Sequence, residues 1–269
     1  MDVKYEINKV EYDSFGRPSG IVLLDKTNDM SAHDLVNIVR KKFNIKKVGH
    51  AGALDTFSTG LMLILIGKAT KLSDKLMGME KVYNATMILG VATETQDIEG
   101  KVTQVESNLE LDSKTITFTL MSFMGGYEQY VSPFSSVKVA GKKLRKVLRN
   151  KSYTYKITET SAGKFIELYD ALTNKLVERL GIPKRFIEIK DLKVNSTELV
   201  DGKTLPYIDK VDGEFWKINF DLLCSKGTYV RQFAEDVGAK LNVPASLIAL
   251  RRTRIGQYDE SMLDHSVLS

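Results

Sequence analysis

The stretch Gly49-His50-Ala51-Gly52-Ala53-Leu54-Asp55-Thr56-Phe57-Ser58-Thr59-Gly60 runs directly into the apolar segment Leu61–Ile66. Gly49 and Gly52 permit unusual backbone angles or the close approach of a ligand. An aspartate in such a loop can project its carboxylate into a cleft. The commoner role of an aspartate in a loop is that of a turn residue accepting bonds from nearby amides. The block closes with a polar segment up to Lys71. A loop bearing one acid, welded to a short apolar run, describes a side chain presented at the end of a buried element.

Working outward, Gly20–Leu24 reads as a buried strand, and residues 1–18 as a loose polar arm. Ser31 is placed to cap a helix, with Asp34 near its positive end. Leu35, Val36, Val39 and Phe43 recur at helical spacing, and Lys41, Lys42, Lys46 and Lys47 gather where that helix stops. Downstream, residues 81–91 read as a strand with Tyr83, Ala85, Met87 and Leu89 on one face. Residues 115–123 carry β propensity, but Ser113 before them and Gly125-Gly126 after them favour a helix. Residues 141–149 predict a basic helix, and residues 152–170 a hairpin turning at Ser161-Ala162-Gly163. Trp216, Ile218, Phe220 and Leu222 alternate in a further strand, and a helix follows Tyr229 with Phe233, Ala234, Val237 and Leu241 inward. Strands and helices without regular alternation predict an α+β fold.

With 269 residues, 43% of them hydrophobic, the chain can bury a substantial core. The net charge of +5 fits a polyanionic partner and fits many ordinary enzymes as well. A single cysteine, Cys224, excludes an intrachain disulfide and a cysteine-based zinc site. His33, His50 and His265 share no ligand spacing, so no metal is expected. The start Met1-Asp2-Val3-Lys4 shows no signal region, and Leu61–Ile66 is too short to cross a bilayer, so a cytoplasmic protein is expected.

Three further segments carry candidate chemistry. Cys224-Ser225-Lys226-Gly227-Thr228-Tyr229-Val230-Arg231 links a strand to a helix. A cation at a helix start opposes the helix dipole, so Arg231 needs a specific partner or is a surface ion pair. Lys81-Val82-Tyr83-Asn84 opens a strand, where a tyrosine ordinarily packs. The adjacent arginines of Leu250-Arg251-Arg252-Thr253-Arg254 suit phosphate contacts or a solvated face.

Taken in order, these segments resemble the TruB family of tRNA pseudouridine-55 synthases along nearly the whole chain. Gly20-Ile21-Val22-Leu23-Leu24-Asp25-Lys26 is similar to the family's opening motif, and Gly49–Gly60 to its catalytic motif. Lys81-Val82-Tyr83, Ser136–Lys142, Ser225–Arg231 and Leu250-Arg251-Arg252 complete the set. The chain departs from the pattern at Ala51 (usually Thr), Thr56 (usually Pro) and Thr27 (usually Pro), changes in loop stiffness more than in chemistry.

The resemblance implies a single catalytic domain over 1–269 with the pseudouridine synthase fold, a mixed, largely antiparallel sheet flanked by helices with an active-site cleft. A hairpin is inserted at 151–175, and the family's C-terminal RNA-binding domain (PUA-like) is expected to be absent. It implies Asp55 as the catalytic carboxylate, Arg231 as its partner, and Tyr83 stacked on the uracil. Tyr229 would pack beside the Asp55–Arg231 pair, Leu250 would wall the pocket, His50 would meet RNA or support the loop, and Lys26 would buttress it. No cofactor is expected. The partner is the tRNA T-arm, with no obligatory protein partner and a monomeric state. The inserted segment, with its tyrosines and Lys151, Lys164 and Lys175, is expected either to extend the RNA surface or to be decoration. Three rivals stand beside this reading: an RNA chaperone, a guided synthase of the dyskerin branch, and a carboxylate hydrolase. The last needs two carboxylates, and no second acid stands in a comparable motif.

Overall fold

The structure is a computed structural model that describes residues 5–28, 30–207 and 209–264. In chain order the strands and α-helices are β1 (Val10–Tyr12), β2 (Pro18–Lys26), α1 (Ala32–Lys42), β3 (Val48–His50), β4 (Thr59–Ile66), α2 (Ser73–Met77) and β5 (Lys81–Leu89). Next come β6 (Val91–Thr93), β7 (Val102–Val105), α3 (Ser113–Met121), β8 (Gly125–Tyr130), β9 (Lys138–Val139), β10 (Lys142–Lys143) and α4 (Leu144–Leu148). The remainder comprises β11 (Tyr153–Thr160), β12 (Gly163–Asp170), β13 (Leu176–Gly181), β14 (Lys184–Asp201), β15 (Glu214–Cys224), α5 (Val230–Leu241), β16 (Ala245–Ile255) and β17 (Tyr258–Asp259).

Ten strands form the main sheet. Its path runs β1-β2-β4-β16-β5-β15-β14-β8, with β3 on β4 and β17 on β16. Every pairing along that path is antiparallel except β4 with β16. Leu61–Ile66 is apolar throughout because β4 is buried on both faces. Met62, Ile64 and Ile66 turn to the face covered by α1, α3 and α5, where Leu35, Val39, Ile116, Phe233 and Val237 meet them in the largest core cluster. Leu61, Leu63 and Leu65 turn to the opposite face, with Ile21, Leu23, Ile255 and Tyr258. Each such side chain contributes about 1.5–3 kcal/mol of burial.

Local signals act as their chemistry dictates. Ser31 and Asp34 form a reciprocal capping box at α1. At α3 the cap is Asp112, whose side chain accepts from the Thr115 amide at 2.7 Å, and this fixes a helix where β propensity competes. No helix among the described residues is long and apolar enough to cross a membrane.

Three expectations change. Part of the N-terminal arm is ordered: β1 pairs with β2, and Ile7 bridges to Ile21. Residues 1–4 and His265 lie outside the described residues. The basic helix over 141–149 shrinks to Leu144–Leu148, because Ala140 and Gly141 take positive φ and turn Lys142–Lys143 back against Lys138–Val139. The inserted hairpin gains a third strand, since β12 pairs with β13 as well as β11.

The sheet aligns the motifs in one row: Lys26 pairs with Gly60, Gly60 with Arg252, Arg252 with Tyr83, and Tyr83 with Leu222. The parallel join is only Thr59–Gly60 against Arg251–Arg252. Gly60 has φ +104°, and a Cβ there would collide with the Arg252 backbone, 2.8 Å from its amide nitrogen. Gly60→Ala is therefore expected to lose about 3 kcal/mol of stability or to fail to fold. Urea denaturation beside the parent protein checks this, and an unchanged midpoint would show that the join tolerates a methyl group.

Candidate active site

The loop between β3 and β4 carries Asp55. Lys26, fully buried at the end of β2, points its ammonium into this loop and donates to the Thr56 and Ser58 carbonyls at 2.8 and 2.5 Å, and to Thr27 at 3.0 Å. Arg252 donates from Nη2 to the Gly52 carbonyl at 3.1 Å and from Nε to that of Leu61 at 2.9 Å. The loop is thus held at both ends by buried cations bonded to its carbonyls, which a flexible Gly-containing segment could not achieve alone. Arg252 is 1% exposed and meets no solvated face. Arg251 instead forms a bidentate pair with Asp25, at 3.1 and 2.9 Å, and a second pair with Glu260. Of the two arginines offered for phosphate contacts or a solvated face, Arg252 is sealed on loop carbonyls, whereas Arg251 keeps a partly exposed side chain at the edge of the cleft.

The Asp55 carboxylate sits 2.8 Å from Arg231 Nε. Arg231 occupies the first turn of α5, and its Nη1 reaches the Asp97 carboxylate at 3.3 Å and donates to the Thr95 carbonyl at 2.7 Å. Two carboxylates and a carbonyl explain how a cation tolerates the positive end of a helix. The two acids differ in setting. The Asp97 side chain is 2% exposed and that of Asp55 is 43% exposed, so Asp97 anchors the guanidinium while Asp55 stays open to solvent. Burial pushes the Asp97 carboxyl up, and Arg231 opposes that rise. Thr95 Oγ1 and the Glu99 amide donate to the other Asp97 oxygen at 2.5 and 3.0 Å.

Sequence reasoning missed Asp97 and Glu99 and expected a lone acid. The signal was present in Thr93-Glu94-Thr95-Gln96-Asp97-Ile98-Glu99-Gly100, a polar turn directly after an apolar strand. Glu99 is exposed at the cleft, and its carboxyl is raised by partial desolvation first and by Asp97 and Asp55 next. The Arg231 clamp on Asp97 leaves no symmetric pair of free acids of the kind a glycosidase uses.

The parallel join between β4 and β16 ends at Thr59 and Arg251, and a cleft of about 580 Å³ opens beyond it. Phe57 from the loop, Thr59 from the start of β4, Leu250 and Arg251 from β16, Asn84 from β5 and Glu99 line it. Leu250 is 7% exposed and shares the core cluster with Phe57 and Tyr83. Tyr83 is buried, its phenol raised by burial against the opposing charge of Arg252, with Asp55 close enough to act on it. The Tyr229 ring joins a different cluster, with Val131, Leu144 and Ile166. Gln129 clasps its backbone, with Oε1 accepting from the Tyr229 amide at 2.8 Å and Nε2 donating to its carbonyl at 3.2 Å. The turn before Tyr229 is pinned to β14, where Ser225 and Glu188 exchange two bonds at 2.9 Å, and Gly227 supplies φ +84°. His50 is half-buried, and among the described residues its Nδ1 has no hydrogen-bond partner. Burial lowers its ring, with Arg252 adding to the effect.

The inserted strands turn Tyr153, Tyr155 and Lys164 toward the rest of the protein. Tyr153 and Tyr155 pack inward with Ile166 and Leu168, and Tyr169 bonds Glu167. The Lys164 ammonium, on a side chain 13% exposed, reaches Glu235 of α5 at 3.4 Å. Glu235 also accepts from Gln96 and Gln232, and Gln96 accepts from Ser132. This buried polar set ties the insertion to the turn that carries Asp97, because each buried amide and hydroxyl must find a partner. Lys151 and Lys175 alone of the three expected lysines are exposed.

Two outcomes follow. Arg231→Met strands the buried Asp97 carboxylate and is expected to cost about 3–5 kcal/mol, with Asp97→Asn in the same chain recovering more than half; chemical denaturation of both variants measures the pair. His50 binds its proton more weakly folded than unfolded, so its contribution is complete above the ordinary value of 6.5 and falls as pH drops below it. Wild-type stability should therefore decline between pH 7 and pH 5 by up to about 1.4 kcal/mol per unit from this group. His50→Gln should flatten that slope in melts taken at both pH values.

Residues 40–162 match the model of the TruB family pseudouridylate synthase N-terminal domain. The tRNA pseudouridine synthase B of Oenococcus oeni is 36% identical over 244 residues, covering 90% of this chain and 70% of that protein. Its namesake in Mycoplasma capricolum subsp. capricolum is 35% identical, covering 93% and 73%. That of Syntrophotalea carbinolica is 33% identical, covering 90% and 65%. This chain thus spans 65% to 73% of these relatives' lengths. Among solved structures, a Cbf5–Nop10–Gar1 complex superposes with a TM-score of 0.54 at 20% identity, covering 96% of this chain and 60% of that one. An H/ACA RNP bound to a substrate RNA containing 2′-deoxyuridine gives 0.54 at 19%, covering 96% and 59%. These two likenesses bear on the fold alone, and it is the α+β arrangement expected. On the identity it shares with relatives whose length it largely spans, the chain belongs to the TruB family of pseudouridylate synthases.

Proposed function

We propose that this protein isomerises uridine to pseudouridine at position 55 in the T-loop of tRNA, with Asp55 as the catalytic carboxylate. The observation that carries this reading is the half-exposed Asp55 carboxylate held 2.8 Å from Arg231, near enough for its charge to act on the Tyr83 phenol. The relatives named tRNA pseudouridine synthase B support the choice of substrate. The reading includes the cytoplasm as the site of action, the T-arm as partner, one catalytic domain over the chain, a monomer, and no cofactor, since nothing is oxidised and no group is gained.

The reaction breaks the N-glycosidic bond, turns the uracil over, rejoins it through carbon five, and moves one proton from carbon five to the ring nitrogen that was released. The base must first leave its stack, at a cost of roughly a few kcal/mol. Basic side chains of the protein surface hold the backbone during this step. Arg231 keeps the Asp55 carboxylate ionised and oriented, and Asp97 keeps Arg231 in place. Leu250 and Phe57 give the flipped nucleotide an apolar wall, and Tyr83 stacks on the uracil and receives the proton from carbon five. Lys26 and His50 act through the loop, and Tyr229 through the start of α5.

A chaperone that only unfolds and refolds RNA would need the cleft but not the acid. Asp55→Asn preserves size and removes charge. Pseudouridine formation in T-arm RNA should fall about 10³-fold or more while RNA affinity holds. Mapping of pseudouridine together with filter binding tests this; full turnover in the variant would remove Asp55 from the chemistry.

A further inference from the structure

Arg252 is the largest of the fully buried side chains, and among the described residues no carboxylate lies within 4.0 Å of it. Its guanidinium donates to the Leu61 and Gly52 carbonyls and, from Nη2, to the Met62 sulfur at 3.0 Å. Buried cations are ordinarily paired with an anion, because carbonyl dipoles alone do not replace the lost hydration. Arg252 is also the direct cross-strand partner of Tyr83, on the same face of the sheet, and no residue intervenes. Its carbonyl partner Gly52 opens the segment that carries Asp55. One guanidinium therefore touches the catalytic loop and adjoins the tyrosine assigned to the uracil.

We propose that Arg252 is the positioning residue of Tyr83: its guanidinium holds the phenol against the cleft and supplies the charge opposite the phenolate oxygen that takes the proton from carbon five. This rests on the function proposed above. In the step, the bond between carbon five and hydrogen breaks and its electron pair restores the ring double bond. The proton passes to the Tyr83 oxygen, leaving a neutral phenol beside Arg252, and is returned through solvent to the ring nitrogen released from the sugar, which regenerates the phenolate.

The electrostatics agree with this geometry. Burial raises the Tyr83 phenol, and Arg252 is the strongest influence opposing that rise, with Cys224 and Asp55 working the other way. In return, burial lowers Arg252 and Tyr83 sustains its charge. His50 and Lys81 also feel the Arg252 charge, and both are lowered by burial first and by Arg252 next. Neither can serve as the missing anion, since both become cationic on protonation.

The test is single-turnover pseudouridine formation against pH in the parent enzyme, Arg252→Gln, Tyr83→Phe and the double variant, with thermal melts confirming folding. Arg252→Gln should slow the reaction about ten-fold or more near neutral pH and move the rising limb of the profile to higher pH. The double variant should be no slower than Tyr83→Phe. A rate lowered by the same factor at every pH, or a full additional loss on top of Tyr83→Phe, overturns the assignment and makes Arg252 a loop support only. Should Arg252→Gln fail to fold, Arg252→Lys is combined with difluorotyrosine at position 83, whose phenol is more acidic. Recovery of the neutral-pH rate is then expected, and no recovery overturns the assignment. Unchanged turnover in Tyr83→Phe would instead remove the proton role of Tyr83 itself, and an absence of pseudouridine with the parent enzyme would remove the function on which both rest.

Discussion

Two residues of parallel pairing hold the architecture together. Gly60 lies against the Arg252 backbone so closely that no side chain fits between them. Through that contact the hydrophobic β2–β4 unit meets the antiparallel sheet of β16, β5, β15 and β14. Because the pairing is so short, the strands diverge immediately, and the sheet is open where the Asp55 loop departs. The cleft is therefore a consequence of where hydrogen bonding stops, and it needs no separate element to build it. The buried cations Lys26 and Arg252 lie in the same row across the sheet and bond the loop carbonyls that strand pairing leaves over.

The second organising feature is the sharing of Arg231 between a buried acid and an open one. Asp97 is sealed in the protein, so its charge is affordable only with the guanidinium against it. That requirement fixes Arg231, and Arg231 in turn fixes the orientation of Asp55, whose own pairing at a half-exposed position would contribute little by itself. Stability is thereby spent at Asp97 and orientation is gained at Asp55. The Gln96, Gln232 and Glu235 bonds extend the arrangement to Lys164, so the inserted strands are anchored to the turn that carries Asp97.

Much of the scaffold was legible because its signals are local. A capping serine with apolar residues at helical spacing gives α1, and continuous or alternating apolar runs give β4, β5 and β15. Legibility failed where local propensity met a specific turn or a distant partner. The positive φ at Ala140 and Gly141 cut short a stretch rich in helix-forming lysines. Lys164 and the tyrosines of the insertion carry the composition of an RNA surface, yet they face α5 and a core cluster.

The sequence by itself determined the α+β class, the loop bearing Asp55, and the set of segments that identify the family, because hydrophobic period, turn residues and motif order are all written along the chain. Tertiary structure alone decided that Asp97 is the anchor of Arg231, and that Arg252 is sealed from solvent beside Tyr83 on the neighbouring strand. An aspartate in a polar turn and an arginine in a basic run look alike whether exposed or buried. Their ionisation and partners depend on the dielectric around them and on residues more than a hundred positions away, brought alongside only when the sheet closes.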